Sequence, residues 1–309
     1  MMFKWPGSPS ARAPKHEIAD FAELTGWQGN GLSMASLSKL FGRNEENDYS
    51  RGVPEEDVAD EIVEETYMEI EQRKEACGDG YPFEITRRGS ILRANQTADS
   101  NIKHIIYKYL LLATRLNMQS NKIYADIDGT LLFEELAAES AREYLGPRAE
   151  SVVFGAVAGA AGFSDKVDHL CRKIKEGNGF MSRSNASSNQ KDGKLDVVAW
   201  KPFVDKSAGQ LIIFGQCKTG TNYKDSLSQL QPDSFCRKWF QSFPAVPPIR
   251  AFFVSEALSR SNWYNDISDA GLLFDRCRIV EVCDDISEDV LKRVKCWTSA
   301  AAKAAGLQK

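Results

Sequence analysis

The spacing of hydrophobic positions divides the chain near residue 120. Before it, helical periods dominate. HEIADFAELTGW (16–27) and SMASLSKLFG (33–42) read as two helices joined by a Gly-containing turn at QGNG. Val58, Ile62, Val63, Tyr67 and Ile70 recur at near-helical spacing beneath a heavily acidic stretch that stops at Gly78-Asp79-Gly80. YPFEITRRGSILRA (81–94) alternates around Arg87-Arg88-Gly89 and predicts a hairpin. From Asn101 to Asn117 the apolar residues Ile102, Ile105, Ile106, Leu110, Leu111 and Leu116 share one helical face.

After residue 120 the period alternates between helix and strand. A helix is predicted from about Leu132 to Tyr144, closed by Gly146-Pro147. SVVFGAV (151–157) is a strand, and FSDKVDHLCRKIKE (163–176) is a helix with Ser164 as its N-cap. A polar loop over 182–193 leads to LDVVAWKPF (195–203) and QLIIFGQCK (210–218), two strands joined by a turn around Asp205-Lys206-Ser207. Residues 224–242 read as a helix interrupted at Pro232. IRAFFVSEA (249–257) and CRIVEVC (277–283) read as strands, and residues 287–305 as a closing helix. Strands with helices between them predict an α/β fold with a mixed central sheet. The organisation expected is a disordered Pro/Ser/Gly/Ala-rich tail over 1–15, a mainly helical region over 16–120, and an α/β domain over 121–309.

Composition narrows the classes. The 309 residues are 42% hydrophobic, and no apolar run reaches the roughly 20 residues of a membrane span; the longest, Val152–Phe163, is padded with Gly and Ala. The first residues, MMFKWPGSPSARAPKHE, lack the apolar core of a secretory signal. Seven scattered cysteines, an odd number, suit reduced thiols better than a disulfide framework. A cytoplasmic protein without membrane partners is expected. The net charge of −4 conceals an asymmetry. Glu45–Glu71 holds twelve acidic residues against Arg51 alone, a local charge of −11, so the remainder carries +7. A polyanionic partner is therefore compatible with the chain outside that block, and the acidic helix is expected to lie away from the groove such a partner occupies.

Two strings carry candidate chemistry. IYADIDGTLL (123–132) resembles the nucleophile motif of haloacid-dehalogenase-type phosphatases: a hydrophobic strand, Asp126 and Asp128 two apart, then Gly129-Thr130. That resemblance implies Asp126 as the group attacking phosphorus and Asp128 as its proton-transfer partner. Against it, a helix follows at once and no matching Lys segment lies downstream. The second string is KDGKLDVVAWKPFVDKSAGQLIIFGQCKTG (191–220). On an antiparallel pair Asp196 comes level with the end of the next strand, where Gln216 and Lys218 share a face. A carboxylate, an amide oxygen and an ammonium then meet at one sheet edge. Oxygen ligands suit a hard divalent cation, and a nearby cation suits phosphodiester hydrolysis.

This second string resembles the PD-(D/E)XK, restriction-endonuclease-like nucleases, in the Mrr-type variant where a D-G-x-x-D strand precedes one ending Q-x-K. Asp192-Gly193-Lys194-Leu195-Asp196 and Gln216-Cys217-Lys218 carry the likeness, with Phe133-Glu134-Glu135-Leu136 on the preceding helix; about half the chain, residues 130–285, is covered. The resemblance implies an αβββαβ core and a DNA endonuclease dependent on Mg²⁺, with Mn²⁺ as a substitute. Glu134, Asp196, Gln216 and the backbone carbonyl of Cys217 would hold the metal, and Lys218 would orient water or stabilise the attacked phosphate. It also implies service in bacterial defence against phage or foreign DNA, alone, as a homodimer or in a larger complex. Glu135 and Glu139 remain alternatives to Glu134. Gln216 stands where most members have an acid, which leaves a binding-only, degenerate module as another reading.

Weaker signals surround these. Lys224, Arg237 and Lys238, with Tyr223 and Trp239 interleaved, form a candidate nucleic-acid rim, or a solvated helix face over core aromatics. The first helix pair also matches a helix-turn-helix pattern, more often a plain packing unit. GAVAGAAG (155–162) lacks the Gly-Lys-Ser/Thr of a phosphate loop. His169 and Cys171 have no second ligand pair for zinc. Asn185-Ala186-Ser187 matches a glycosylation sequon.

Overall fold

The computed structural model describes all residues except 1, 30, 43–54, 87–89, 96–100, 157–161, 183–191 and 309. Residues 45–54 of the acidic stretch, the hairpin tip, most of GAVAGAAG and the sequon lie outside the described residues. The centre is a five-stranded mixed sheet built from β6 (Glu150–Val153), β7 (Val197–Lys201), β8 (Leu211–Lys218), β9 (Ile249–Val254) and β10 (Leu272–Phe274), in the order β10-β9-β8-β7-β6. β6, β7 and β8 are antiparallel neighbours, whereas β8–β9 and β9–β10 pair in parallel.

Both faces of the sheet are covered, which makes three layers. Val198, Trp200, Ile212 and Phe214 face α6 (Phe163–Ile174) and α7 (Pro232–Trp239), whose Val167, Leu170, Phe235 and Trp239 join the same buried cluster. Val197, Ala199, Ile213, Ala251 and Phe253, of the opposite parity, belong to a second cluster with α5 (Gly129–Leu145). That cluster continues without a break across residue 120. It takes in α1 (Lys15–Gln28), α4 (Ile102–Arg115), α9 (Arg276–Val282) and α10 (Glu288–Ala304). The helices α1 and α2 (Met34–Gly42) each pack against α3 (Glu55–Cys77). A small antiparallel sheet joins the hairpin β2 (Phe83–Thr86) and β3 (Ile91–Ala94) to β1 (Leu32–Ser33).

Two expected elements are corrected by the structure, and the first residues make contacts of their own. Phe3 is buried, its N–H donates to Glu17 (3.0 Å), and the Trp5 indole donates to the Ala305 carbonyl (2.9 Å). Aromatic side chains spaced between the small residues supply the apolar area that composition alone underweights. CRIVEVC is helical as part of α9, not a strand, because Asp275 caps it by accepting from Arg278 N–H (3.1 Å), and Ile279, Val280 and Cys283 turn to the core. Residues 224–242 form a single turn at Lys224–Ser226 and then α7, with Pro232 at the helix start, where its missing N–H costs nothing. The helix α8 (Trp263–Ala270) and the short strand β10 have no clear counterpart in the sequence pattern.

A lattice of buried charges fastens the N-terminal helices to the sheet end. Asp20 accepts from Arg73 (2.7 Å), Arg115 (2.6 Å) and Arg276 (2.8 and 3.1 Å), and all four side chains are essentially inaccessible. Glu23 accepts from Arg73, Tyr81 and Tyr107. Arg115 also reaches Glu17 and Glu256. Burial alone would raise the Asp20 carboxyl, but Arg276, Arg115 and Arg73 hold it well below the usual carboxylate range.

Candidate active site

The first candidate string folds into a structural device. Ile123–Tyr124 (β4) and Ile127–Asp128 (β5) form a tight antiparallel hairpin, with Ala125 and Asp126 both at positive φ (50° and 59°) as a two-residue type I′ turn requires. Asp126 therefore sits exposed at a hairpin tip, in a two-stranded sheet distinct from the central one. Asp128 caps α5, accepting from Thr130 N–H (2.8 Å), the Thr130 hydroxyl (2.6 Å) and Lys122 (2.7 Å). Partial burial works against its charge, yet Lys122 and Thr130 hold its carboxyl below the ordinary value. Gly129 lies against the Trp297 ring, where any Cβ would come within 2.6 Å of the indole. Each residue of the D-G-T string thus has a capping or packing reason to be there.

The second string converges. Val197 pairs with Gly215, so one further step along the register sets Asp196 level with Gln216; Asp196 N–H donates to the Gly215 carbonyl (3.0 Å). The Asp196 carboxylate accepts from the backbone N–H of Cys217 at 2.7 Å. The motif glycine Gly193 is at positive φ (53°), and a Cβ there would meet the Phe235 ring at 2.8 Å, so it sets the close turn that delivers Asp196. Gln216 is 1% exposed, and its Oε1 accepts no hydrogen bond among the described residues. An orphaned buried amide oxygen costs roughly 1–3 kcal/mol unless some group binds it.

From the other layer, α5 brings Glu134 to the same strand end. Glu134, Phe133 and Thr130 line a cleft of about 560 Å³ together with Cys217, Lys218 and the Thr219–Asn222 turn. Burial pushes the Cys217 thiol well up, the Asp196 and Glu134 carboxylates add to this, and Lys218 opposes them; all three charges thus act on one sulfur. The neighbouring glutamates are engaged elsewhere. Glu135 pairs with Arg293 of α10 (2.7 Å), and Glu139 pairs with Arg142 (2.7 Å). Of the three helix carboxylates, only Glu134 lines this cleft. Asp196 and Gln216 are not on the cleft wall; Asp196 is joined to it through its hydrogen bond from the Cys217 N–H, and Gln216 precedes Cys217 on β8.

The candidate rim does not join this cleft. Arg237 and Lys238 are exposed on α7, with the Arg237 guanidinium over the Phe243 ring (5.1 Å), while Tyr223 and Trp239 are buried. Lys224 lies in its short turn within electrostatic reach of Asp266 and His16. None of the three cations lines the cleft, and neither does any residue of the acidic helix α3. The cleft also contains Met2 and Lys4, which no sequence motif singles out. Their only local signal is an aromatic-flanked Lys in Phe3-Lys4-Trp5, and packing against distant α4 and α10 is what brings it here.

Among the described residues, no group of three or more His, Cys, Asp or Glu side chains is placed to hold a metal, and no helix is long and apolar enough to cross a membrane. The oxygen set at the β8 end is two carboxylates, one amide and backbone carbonyls. No protein-family model, curated protein or solved structure matches this chain.

Proposed function

We propose that this chain is a metal-dependent nuclease of the restriction-endonuclease-like type that hydrolyses phosphodiester bonds of DNA. The observation that carries the reading is the β7–β8 end: Asp196 level with a buried, unsatisfied Gln216 Oε1, and Lys218 sharing a cleft with Glu134. The strand order supports it too, since a helix precedes an antiparallel β6-β7-β8 meander and a helical crossover leads to parallel β9. Hard oxygen donors suit Mg²⁺ or Mn²⁺, and Glu134, Asp196, Gln216 and the Cys217 carbonyl are the groups that would hold it. When bound, such an ion polarises a phosphoryl oxygen and acidifies water.

The chain's own part is positioning and charge. The Cys217 N–H fixes the Asp196 carboxylate against the strand end. Lys218 supplies a positive charge where negative charge accumulates on the attacked phosphate, and its protons can hydrogen-bond the phosphate oxygens. The defence role, any assembly and the DNA specificity belong to the same proposal through the family likeness alone.

The test is cleavage of plasmid and oligonucleotide DNA with Mg²⁺ or Mn²⁺ by wild type, Lys218→Ala, Asp196→Ala and Asp126→Ala. Losses of about 100-fold or more are expected for the first two variants, and Asp126→Ala should cleave like wild type. Cleavage that survives loss of Lys218 and Asp196 refutes the site. DNA binding without turnover in either metal would favour the degenerate, binding-only module, a reading to which the amide at position 216 lends weight.

A further inference from the structure

Lys4 is held in place from both sides. Phe3 N–H is bound to Glu17 (3.0 Å), and Trp5 N–H to the Arg115 carbonyl (2.9 Å). The Phe3 ring is covered by the Arg115 guanidinium (4.8 Å), and the Trp5 indole is tied to Ala305. Between these anchors the Lys4 ammonium enters the cleft that contains Lys218 and Glu134. There it donates to the Thr114 carbonyl (2.6 Å) and makes no ion pair among the described residues. A Cβ on Gly220 would lie 3.7 Å from Nζ, so the turn after β8 comes right up to the ammonium. That turn is pinned as well: Gly220 N–H donates to Ser255 Oγ (3.1 Å), and Ser255 N–H to the Lys218 carbonyl (3.3 Å).

A cation that has lost part of its hydration and faces a cleft with only neutral hydrogen-bond partners is an anion site. Burial, and then the Arg115 charge, lower the Lys4 pKa; the carboxylates of Glu256, Glu17 and Asp20 offset this only in part, so an anion arriving beside Lys4 further stabilises its charge. The cleft wall beside it includes Thr219, Thr221 and Asn222, all residues with polar side chains. We infer that Lys4 and the Thr219–Asn222 turn form a second phosphate subsite in the cleft, which takes the phosphodiester next to the one at Lys218. The subsite rests on the nuclease reading for its role, but its anion chemistry stands on its own. Two adjacent phosphates on one strand would then be gripped by two lysines from distant parts of the chain.

The probe is a fluorescent 12-nucleotide single strand, titrated in EDTA so that binding is read without turnover. Wild type, Lys4→Gln and Lys4→Arg are compared across a salt series, with thermal midpoints checking the fold. Lys4→Gln should weaken binding several-fold and reduce the magnitude of the log K against log salt slope by about 0.7, the loss of one phosphate contact on a single strand. Lys4→Arg should restore both. Inorganic pyrophosphate should compete against wild type at lower concentration than against Lys4→Gln. Where cleavage is measurable, Lys4→Gln should act mainly on KM, as expected for a contact made equally in ground and transition states. Unchanged affinity and slope in a folded Lys4→Gln protein overturn the subsite and leave the nuclease reading intact. Lys4-dependent binding without any cleavage leaves the subsite and removes the nuclease. If Lys4→Gln is unfolded, a Lys4→Arg protein with no rescued binding overturns the subsite instead.

Discussion

Replacing Gln216 by Glu tests the chemistry of the strand end more sharply than deleting it. The substitution keeps the side-chain length and installs an acid at a position only 1% exposed, level with Asp196. A carboxyl so buried and without a partner has its pKa raised by roughly 3 units. At about 1.4 kcal/mol per unit, keeping it ionised at pH 8 costs the fold about 4 kcal/mol. The sign follows from linkage. A raised folded pKa leaves stability intact below the unfolded value near 4.3 and removes it as pH rises through the folded value. In EDTA, urea unfolding should therefore show Gln216→Glu close to wild type at pH 5 and several kcal/mol weaker at pH 8. Mg²⁺ or Mn²⁺ at pH 8 should return much of the loss, because an ion bound between the introduced carboxylate, Asp196 and Glu134 stabilises the native state by mass action. A variant equally stable at both pH values, or one indifferent to metal at pH 8, would refute the reasoning that the orphaned Gln216 oxygen faces a cation position.

Two further outcomes follow from the buried lattice. Asp20→Asn leaves Arg73, Arg115 and Arg276 facing a neutral amide in an inaccessible place, so denaturant unfolding should show a loss of about 3–5 kcal/mol; a loss below about 1 kcal/mol would show that the lattice is not what joins the N-terminal helices to α9. Burial, opposed by Arg115, raises the Glu256 carboxyl to about 7, so wild type carries a stability penalty that grows as pH rises from about 4.5 to about 7. Glu256→Gln should remove that component, and the stability difference between variant and wild type should shift in the variant's favour over this window when unfolding is followed at stepped pH. His16 Nε2 lies 3.6 Å from Glu256 Oε1, but burial lowers its pKa to about 4, so the folded imidazole is neutral across most of this window and leaves the Glu256 component to dominate the difference.

Much of the architecture is written in local pattern. The apolar runs 197–201 and 211–218 read as strands, whose two-residue repeat puts Gln216 and Lys218 on one face, and the register then brings Asp196 level with Gln216. The amphipathic period of 102–116 likewise specifies α4, and the alternation of 83–94 specifies a hairpin. Local pattern misleads where one string satisfies two physical demands. IYADIDGT reads as catalytic because Asp suits both a nucleophile and a helix cap, and the sign of φ at Ala125 and Asp126 separates the two. CRIVEVC alternates like a strand, but its capping by Asp275 and the burial of Arg276 against Asp20 make it a helix.

Local pattern thus suffices for the strand pair, the parity of its polar residues and the charge asymmetry that gathers acid in one block. Packing alone selects Glu134, rather than Glu135 or Glu139, for the cleft, because Arg293 and Arg142 draw the other two away. Packing alone also brings Lys4 to Lys218 across 214 positions of chain. Periodicity records which face of its own element a residue occupies, whereas convergence depends on how separate elements fill one another's gaps, and that information is spread over every contact in the core.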